Sequence, residues 1–271
     1  MTGVNKQSVG RLIAQGATAD VYAWGDDKVI KLFKAERSID IIDFEYRIVK
    51  AVRDLDIVSP EVGGKVNVGG RIGIVFEKID GQSMLDTILK KPWQTESLAV
   101  EFAKIQAGIN HRKTQQLPSQ KARLTWKISQ ASKLSRSEIE ALLEKLAKLP
   151  EGESICHGDY HPGNIILSER GPVIIDWIDA TSGNADADLA RTVLLIDKLK
   201  KYPEHLSIVN RMKLDISREL FYSYYIKTYG ELRPFSFENL HAWLPIVAAA
   251  RLEEKIPGEE ERLLELVRNS A

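Results

Sequence analysis

The sequence predicts an α+β fold of two lobes, a small strand-rich lobe followed by a larger, mainly helical one. Short β-branched runs separated by turn residues occupy most of positions 9–33 and 65–79. After Gly81, apolar residues instead recur at intervals of three and four, the spacing of one face of a helix. We therefore predict lobes at residues 1–80 and 81–271, and a chain of this length can bury two such cores.

The first lobe is predicted to contain three strands, one helix and a hairpin, in that order. The helix runs from Ser38 to about Leu55, where apolar residues recur at helical spacing, and Pro60 lies beyond its end. A two-residue turn at Gly69-Gly70 predicts the hairpin, and the run Gly73–Gly81 is interpreted as an edge strand that leads into the second lobe. The three strands are Val9–Ile13, Val21–Trp24 and Val29–Phe33.

The second lobe shows helical periodicity from its start. Ser135 and Glu138 have the spacing of a capping box, which marks the beginning of a helix. Residues 112–126 are the most loop-like part, because Lys, Gln, Ser and Pro replace the apolar repeat there. The predicted helices are Ser83–Leu89, Thr95–His111, Ile139–Leu149, Asp186–Lys201, Leu206–Tyr229, and Phe237 to the C-terminus with a break at Pro257-Gly258.

One motif between these helices carries most of the chemistry: His-Gly-Asp-Tyr-His-Pro-Gly-Asn at positions 157–164, followed by Asp176. Asp159 offers a carboxylate that can receive a hydroxyl proton, and Asn164 offers an amide oxygen five residues later. Two β-branched runs around a turn at 168–172 predict a hairpin with Asn164 at one end and Asp176 at the other. These are the groups that a Mg-ATP phosphoryl-transfer site needs.

The motif, together with Ile175-Asp176-Trp177, resembles the aminoglycoside phosphotransferase and choline kinase group, and the resemblance runs from about Arg11 to beyond Asp188. It implies a bilobal protein-kinase-like fold that uses ATP and Mg²⁺. The implied reaction moves the γ-phosphoryl group to a hydroxyl of a small molecule, of the aminoglycoside, amino alcohol or sugar type. The implied roles are catalysis for Asp159 and metal binding for Asn164 and Asp176.

The same resemblance assigns residues of the first lobe to the nucleotide. Lys31 on a strand and Glu45 on the following helix would form the ion pair that orients the ATP phosphates. Gly16 and Thr18 lie in a turn that would cover the phosphates, with one glycine where protein kinases have three. The adenine pocket would be lined by Phe76, Glu77 and Ile79.

Asp179 is the candidate acceptor-binding residue, because its carboxylate would attract a cationic acceptor. The alternative is that it accepts local amide hydrogen bonds. Trp177-Ile178 stands where protein kinases have Phe-Gly, and no segment of activation-loop length separates Asp176 from the helix near Asp186. These departures argue against the first alternative, an atypical protein kinase. The intact set of Asp159, Asn164, Asp176 and Lys31 argues against the second, a catalytically silent nucleotide-binding module. The prediction is therefore a small-molecule kinase.

Composition narrows the classes of partner. Lys plus Arg and Asp plus Glu number 38 each, so net charge gives no electrostatic case for nucleic acid or an anionic membrane. The one cysteine, Cys156, excludes an intrachain disulfide and fits a reducing compartment. The longest apolar stretch, near Pro245 to Ala250, is too short to span a bilayer. We expect a cytoplasmic protein whose partner is a small-molecule hydroxyl acceptor, with neither nucleic acid nor membrane.

Overall fold

The computed structural model of the protein describes residues 9–197 and 208–269. Contacts divide the chain into two compact units. The first contains the chain up to residue 82 together with 165–178, and the second contains 83–164 and the chain from 179 onward. The ends of two predicted helices, residues 198–201 and 206–207, lie outside the described residues.

The first unit is built on an antiparallel five-stranded sheet with the strand order β1-β2-β3-β5-β4. One helix, α1 (Ile39–Arg53), follows the third strand, close to the predicted bounds. A second sheet has the order β6-β8-β9, in which β8 and β9 form the predicted hairpin. The strands are β1 Leu12–Gln15, β2 Ala19–Ala23, β3 Lys28–Phe33, β4 Val62–Val68, β5 Arg71–Glu77, β6 Gly81–Ser83, β8 Ile165–Ser168 and β9 Gly171–Ile174.

The prediction that Gly73–Gly81 forms an edge strand was wrong. Strand β5 lies between β3 and β4, and the edges of the sheet are β1 and β4. The reason is the turn at Gly69 and Gly70, which both have positive φ (58° and 85°) and fold β4 back along β5. Because glycine adopts such angles without steric cost, this two-residue connection is readily formed.

The second unit is mainly helical, with two short strands, β7 (Ser154–Cys156) and β10 (Thr181–Gly183), paired antiparallel. Helix α3 spans the predicted residues. Within the part of the chain that the structure describes, no helix has the length and apolar character needed to cross a membrane. The helices are α2 Met84–Lys90, α3 Thr95–His111, α4 Gln120–Ser129, α5 Arg136–Lys148, α6 Ala185–Asp197, α7 Ile208–Leu232, α8 Phe237–Arg251 and α9 Glu260–Arg268.

Aromatic side chains of α3 and α7 form the core of the second unit, and their polar ends are satisfied. The Phe102 ring lies 5.1 Å from that of Tyr225, centroid to centroid. Tyr225 and Tyr229 are fully buried, and their hydroxyls donate to Gln106 (2.5 Å) and Asn110 (2.8 Å). These tyrosines are therefore core residues rather than a lining for substrate.

Helix α4 corrects the prediction of a loop over residues 112–126. Ser119 caps this helix, since its hydroxyl accepts a hydrogen bond from the Ala122 amide at 3.3 Å. The helix buries Lys127 and Ile128 while most of its other residues stay at least partly exposed. A polar helix with so narrow a buried face has little apolar periodicity. The sequence of this helix was therefore interpreted as a loop.

The predicted capping box at the start of α5 is present and is joined to α9. The Ser135 amide donates to Glu138 (2.7 Å), the Glu138 amide donates to the Ser135 hydroxyl (3.2 Å), and Arg268 pairs with the Glu138 carboxylate at 2.9 Å. The Ser135 amide, with Arg268, lowers the pKa of Glu138 from 4.5 to about 2.

We expect Glu138→Gln to lower the free energy of unfolding at pH 7 and to have little effect near pH 2. A lowered pKa means that the ionised carboxylate stabilises the folded chain above pH 4.5, and that this contribution is lost as the pH falls toward 2. Urea unfolding of the wild type and of Glu138→Gln at pH 7 and pH 3 measures the difference in their free energies of unfolding. A difference that grows toward low pH would contradict the stabilising role of the ionised Glu138 carboxylate.

Candidate active site

The loop that carries Asp159 leaves the buried strand β7 through a glycine that the geometry requires. Gly158 has φ of 77°, and a Cβ at this position would lie 2.4 Å from the carbonyl oxygen of Asp179. The Gly158 amide donates to the Asp188 carboxylate at 2.8 Å. Asp188 also accepts from Gln106 and Asn110, at 3.1 Å each. The carboxylate of Asp188 therefore anchors this loop to the helical core.

Asp159 and Asn164 lie together in this loop. The Asn164 amide nitrogen donates to the Asp159 carbonyl at 3.0 Å and is 3.4 Å from the Asp159 carboxylate. The Asp159 amide donates to the ring of His157 at 3.2 Å. A short 3-10 turn at Pro162–Asn164 reverses the chain between the two residues. Since the nitrogen of the Asn164 side chain is engaged by Asp159, its amide oxygen is the atom suited to a cation.

Two guanidinium groups and an imidazole surround the Asp159 carboxylate. Arg191 lies 3.4 Å, His161 3.6 Å and Arg251 3.7 Å from its oxygens. Burial alone would raise the pKa of Asp159, but His161 and the two guanidinium groups outweigh it and hold this pKa well below its usual range. A carboxylate with so low a pKa is a weak proton acceptor. Asp159 is therefore better suited to orient a substrate hydroxyl than to remove the proton of that hydroxyl.

Asp159 is one member of a larger set of ion pairs, which we call the charge network. It consists of four cations and four carboxylates of the second unit. Glu254 is its centre, since Arg191 (2.5 Å), Lys127 (3.2 Å) and Arg251 all contact its carboxylate. Asp179 pairs with Arg123 and Lys127, each at 2.9 Å. The members are Arg123, Lys127, Arg191, Arg251, Asp159, Asp179, Glu254 and Glu259.

Sequence reasoning found only Asp159 and Asp179 of this network. Lys127 lies on α4 and Glu254 on a short 3-10 turn after α8, about 130 residues apart in the chain. Lysine, arginine and glutamate are usually solvated surface residues, so nothing in their local sequence marks them as buried partners. The pairs also change the interpretation of Asp179. Both of its oxygens are engaged by cations, and these lower its pKa against the opposing effect of burial.

In the first unit, Lys31 contacts two carboxylates of the predicted site. Its ammonium lies 2.7 Å from Glu45 and 2.9 Å from Asp176. Burial would lower the pKa of Lys31, but the two carboxylates reverse this and raise it. Burial also raises the pKa of Glu45, whose side chain is only 3% exposed. The structure thus brings Lys31 and Glu45 together as the sequence predicted.

Asp176 has a backbone conformation that is uncommon for a residue with a side chain. Its φ is 61°, in the left-handed region. It follows β9, whose residue Ile174 pairs with Ile165, the first residue of β8. Strained residues of this kind cluster at functional sites, where the surrounding structure fixes a side chain in one direction. Asp176 combines this strain with a half-exposed carboxylate.

The other nucleotide candidates fall into three places. Gly16 and Thr18 lie in the exposed β1–β2 turn, where the Gly16 amide donates to the Ala19 carbonyl at 3.0 Å. Phe76 packs against the core that includes Phe33. Glu77 and Ile79 line a cavity of about 530 Å³.

That cavity has the size of a small-ligand pocket and lies wholly within the first unit. The chain from Glu77 to Gly81 lines one side, and Leu167 to Arg170 line the other. The amides of Glu77 and Lys78 already donate to the carbonyls of Glu61 and Asp27, at 2.9 Å each. Of the three consecutive backbone amides from Glu77 to Ile79, that of Ile79 is therefore the candidate donor to a bound base.

The predicted metal ligands fit magnesium by chemistry. An amide oxygen and a carboxylate are hard donors, and Mg²⁺ in phosphoryl-transfer sites takes one or two protein carboxylates with phosphate and water completing its shell. Within residues 9–197 and 208–269, no group of three or more His, Cys, Asp or Glu could hold a metal by itself. Asn164 in the second unit and Asp176 in the first each offer an oxygen donor of this kind.

Comparison with solved structures identifies the fold. A putative fructosamine-3-kinase from Haemophilus somnus 129PT matches with a TM-score of 0.63 and 12% identity, over 96% of this chain and 90% of that one. An amicoumacin kinase in complex with AMP-PNP, Ca²⁺ and Ami matches with 0.62 and 13%, over 96% and 87%. A type VIII aminoglycoside-3'-phosphotransferase matches with 0.58 and 17%, over 90% and 92%. The predicted α+β kinase-like fold is confirmed.

A comparison with curated protein sequences finds no match. The family model described as "Phosphotransferase enzyme family" matches residues 9–201, well over half of the 271 residues. This span includes the loop with Asp159 and Asn164, the Lys31–Glu45 pair and Asp176. The chain belongs to the phosphotransferase enzyme family.

Proposed function

We propose that the protein is an ATP- and Mg²⁺-dependent kinase that transfers the γ-phosphoryl group to a hydroxyl of a small molecule. The observation that carries the proposal is the loop in which Asn164 is hydrogen-bonded to Asp159 (3.0 Å), because it pairs an amide oxygen suited to a metal with an ionised carboxylate. Membership of a phosphotransferase family supports it. Relatives of the same fold have been solved with AMP-PNP and Ca²⁺ and with ADP.

In this proposal each residue acts mainly by position and charge. Lys31, held by Glu45, binds the α and β phosphates, while Asn164 and Asp176 bind Mg²⁺, which supplies neutralisation of the phosphate oxygens when bound. Asp159 accepts a hydrogen bond from the acceptor hydroxyl and directs its oxygen. Because cations lower the pKa of Asp159, we assign it orientation first and proton removal only late in the reaction.

The base of the nucleotide is proposed to bind in the cavity lined by Glu77 to Gly81. Its volume of about 530 Å³ is ample for a purine, and the Ile79 amide offers one donor. Arg170 pairs with Glu77 at 2.8 Å and fixes the position of this wall. Gly16 and Thr18 would contact the phosphates from the β1–β2 turn.

We expect Lys31→Met to lower kcat/KM by about 10²–10³-fold, the cost of losing one group that stabilises charge in the transition state. It also leaves Glu45 buried beside one cation fewer, so the double variant Lys31→Met, Glu45→Gln should regain stability without regaining activity. Steady-state kinetics and thermal unfolding measure both effects. Lys34→Met, which removes a lysine that pairs with Asp20 at 3.0 Å, is the matched control and should stay active.

The acceptor is proposed to be a small molecule rather than a protein. Only residues 177–184 separate Asp176 from α6, and part of this stretch forms strand β10, so little chain remains for an activation segment. A parallel screen of ATP consumption with amino alcohols, sugars, aminoglycosides and folded proteins tests the proposal. Protein acceptors phosphorylated as fast as any small molecule would replace it with an atypical protein kinase. No ATP consumption with any acceptor would favour a silent nucleotide-binding module.

A further inference from the structure

The charge network determines which acceptor could bind beside Asp159. Its members are four cations and four carboxylates, and each carboxylate contacts at least one of the cations. We propose that the acceptor is an uncharged, hydroxyl-rich compound of the sugar or polyol class rather than a polycation or a hydroxy acid. This inference rests on the proposed kinase function and narrows its acceptor.

The pairs form a continuous series that starts at the catalytic carboxylate. Arg191 joins Asp159 to Glu254, Lys127 joins Glu254 to Asp179, and Asp179 ends on Arg123. The cations Lys127 and Arg191 are 8% and 7% exposed. Charges this deeply buried are stable only while they are paired. The charge network next to Asp159 therefore has little net charge with which to attract a charged ligand.

A charged acceptor would find no unbalanced opposite charge among these residues. The oxygens of Asp179 and Glu254, which would attract an ammonium group, already accept from Lys127, Arg123 or Arg191. The same cations, which would attract an anionic group, are neutralised by these carboxylates. A charged group bound here would therefore lose its hydration without gaining a counter-ion of its own, which is strongly unfavourable.

Neutral hydroxyls avoid this cost because they add to the network without displacing a member. A carboxylate has about four lone-pair positions and a guanidinium has five N–H donors, more than their mutual pairs consume. A hydroxyl can donate to the first and accept from the second. A cavity of about 40 Å³ beside Gly158 and Asp179 has room for a hydroxyl to bind in this way.

The direct test compares acceptors that share a carbon skeleton and differ in one charge. D-Glucose, D-glucosamine and D-glucuronate form one set, and glycerol, serinol and glycerate form another. We expect the neutral member of a set to have the highest kcat/KM. An amine or an acid as the preferred member overturns the inference but leaves the kinase proposal intact. No turnover of any member, while an aminoglycoside of the wider screen is phosphorylated, also overturns the inference. No turnover with any acceptor of that screen overturns the proposed function itself.

Two variants should move the preference in opposite directions. Lys127→Met removes a cation and should shift the amine-to-neutral ratio of kcat/KM upward by about tenfold or more, the effect of one unit charge a few ångströms away. Asp179→Asn removes a carboxylate and should shift the acid-to-neutral ratio upward. Added salt should reduce both shifts, since screening weakens them. The inference is overturned if neither ratio of kcat/KM changes, or if both variants change the preference for amine over acid in the same direction.

Controls separate this effect from loss of structure. Arg136→Gln removes a cation from α5 whose side chain is 93% exposed, and it should leave both ratios unchanged. If Lys127→Met does not fold, Arg123→Gln removes the more exposed partner of Asp179 and should shift the ratio in the same direction. A ratio that changes equally in Arg136→Gln contradicts a role for the network.

Discussion

Asp159→Asn is expected to reduce phosphoryl transfer by about 10²–10⁴-fold while Mg-ATP binding stays close to that of the wild type. The asparagine keeps the size of the side chain, but it loses the negative charge and one acceptor atom for the acceptor hydroxyl. Arg191 and Arg251 lose one counter-ion each, yet both still contact Glu254, so the fold should persist.

Single-turnover kinetics, calorimetric titration with Mg-AMP-PNP and thermal unfolding of this variant test the three parts of the prediction. Asp186→Asn is the matched control, because it makes the same chemical change at a carboxylate that accepts from Asn239 at 3.1 Å and has no assigned role in the reaction. Near-wild-type turnover of Asp159→Asn would remove Asp159 from catalysis. Loss of nucleotide binding along with turnover would make it a structural residue.

Asp176→Ala is expected to weaken Mg-ATP binding by at least about 10–100-fold, because even residues that only support a metal ligand contribute this much to metal affinity. Binding of metal-free adenosine should change little, since adenosine needs neither the metal nor Lys31. Lys31 keeps Glu45 as its partner at 2.7 Å, so the variant should remain folded.

Calorimetry with Mg-ATP and with adenosine separates metal binding from base binding in the Asp176 variant. Asp176→Asn serves as a second test, because it preserves one oxygen and should lose less affinity than alanine. Equal losses for the two ligands would show that Asp176, with its φ of 61°, only shapes the backbone.

The sequence could predict those elements whose evidence is local. Helix α3 was predicted from Thr95 to about His111, which agrees with its bounds in the structure, and the capping box at Ser135 was identified from two positions. In these two cases a periodicity or a short spacing carries the information. The Lys31–Glu45 contact was instead implied by the family resemblance, which assigns one residue to a strand and the other to the helix that follows it.

The elements that were missed depend on distant partners. The burial of Lys127 on α4 comes from its contacts with Asp179 and Glu254, and neither residue is near in sequence. Strand β5 became central because β4 folded onto it, although its own residues would suit an edge equally well. A spacing rule cannot identify such residues, because what decides their environment is tertiary packing rather than local preference.

The surroundings of Asp159 also have a consequence for biosynthesis. Arg251, Glu254 and Glu259, which complete the charge network, are translated about 100 residues after Asp159. At about 5–20 residues per second, this delay is roughly 5–20 s. Asp159 therefore lacks these three neighbours for that time, and it reaches its final electrostatic environment only after the chain through Glu259 has been synthesised.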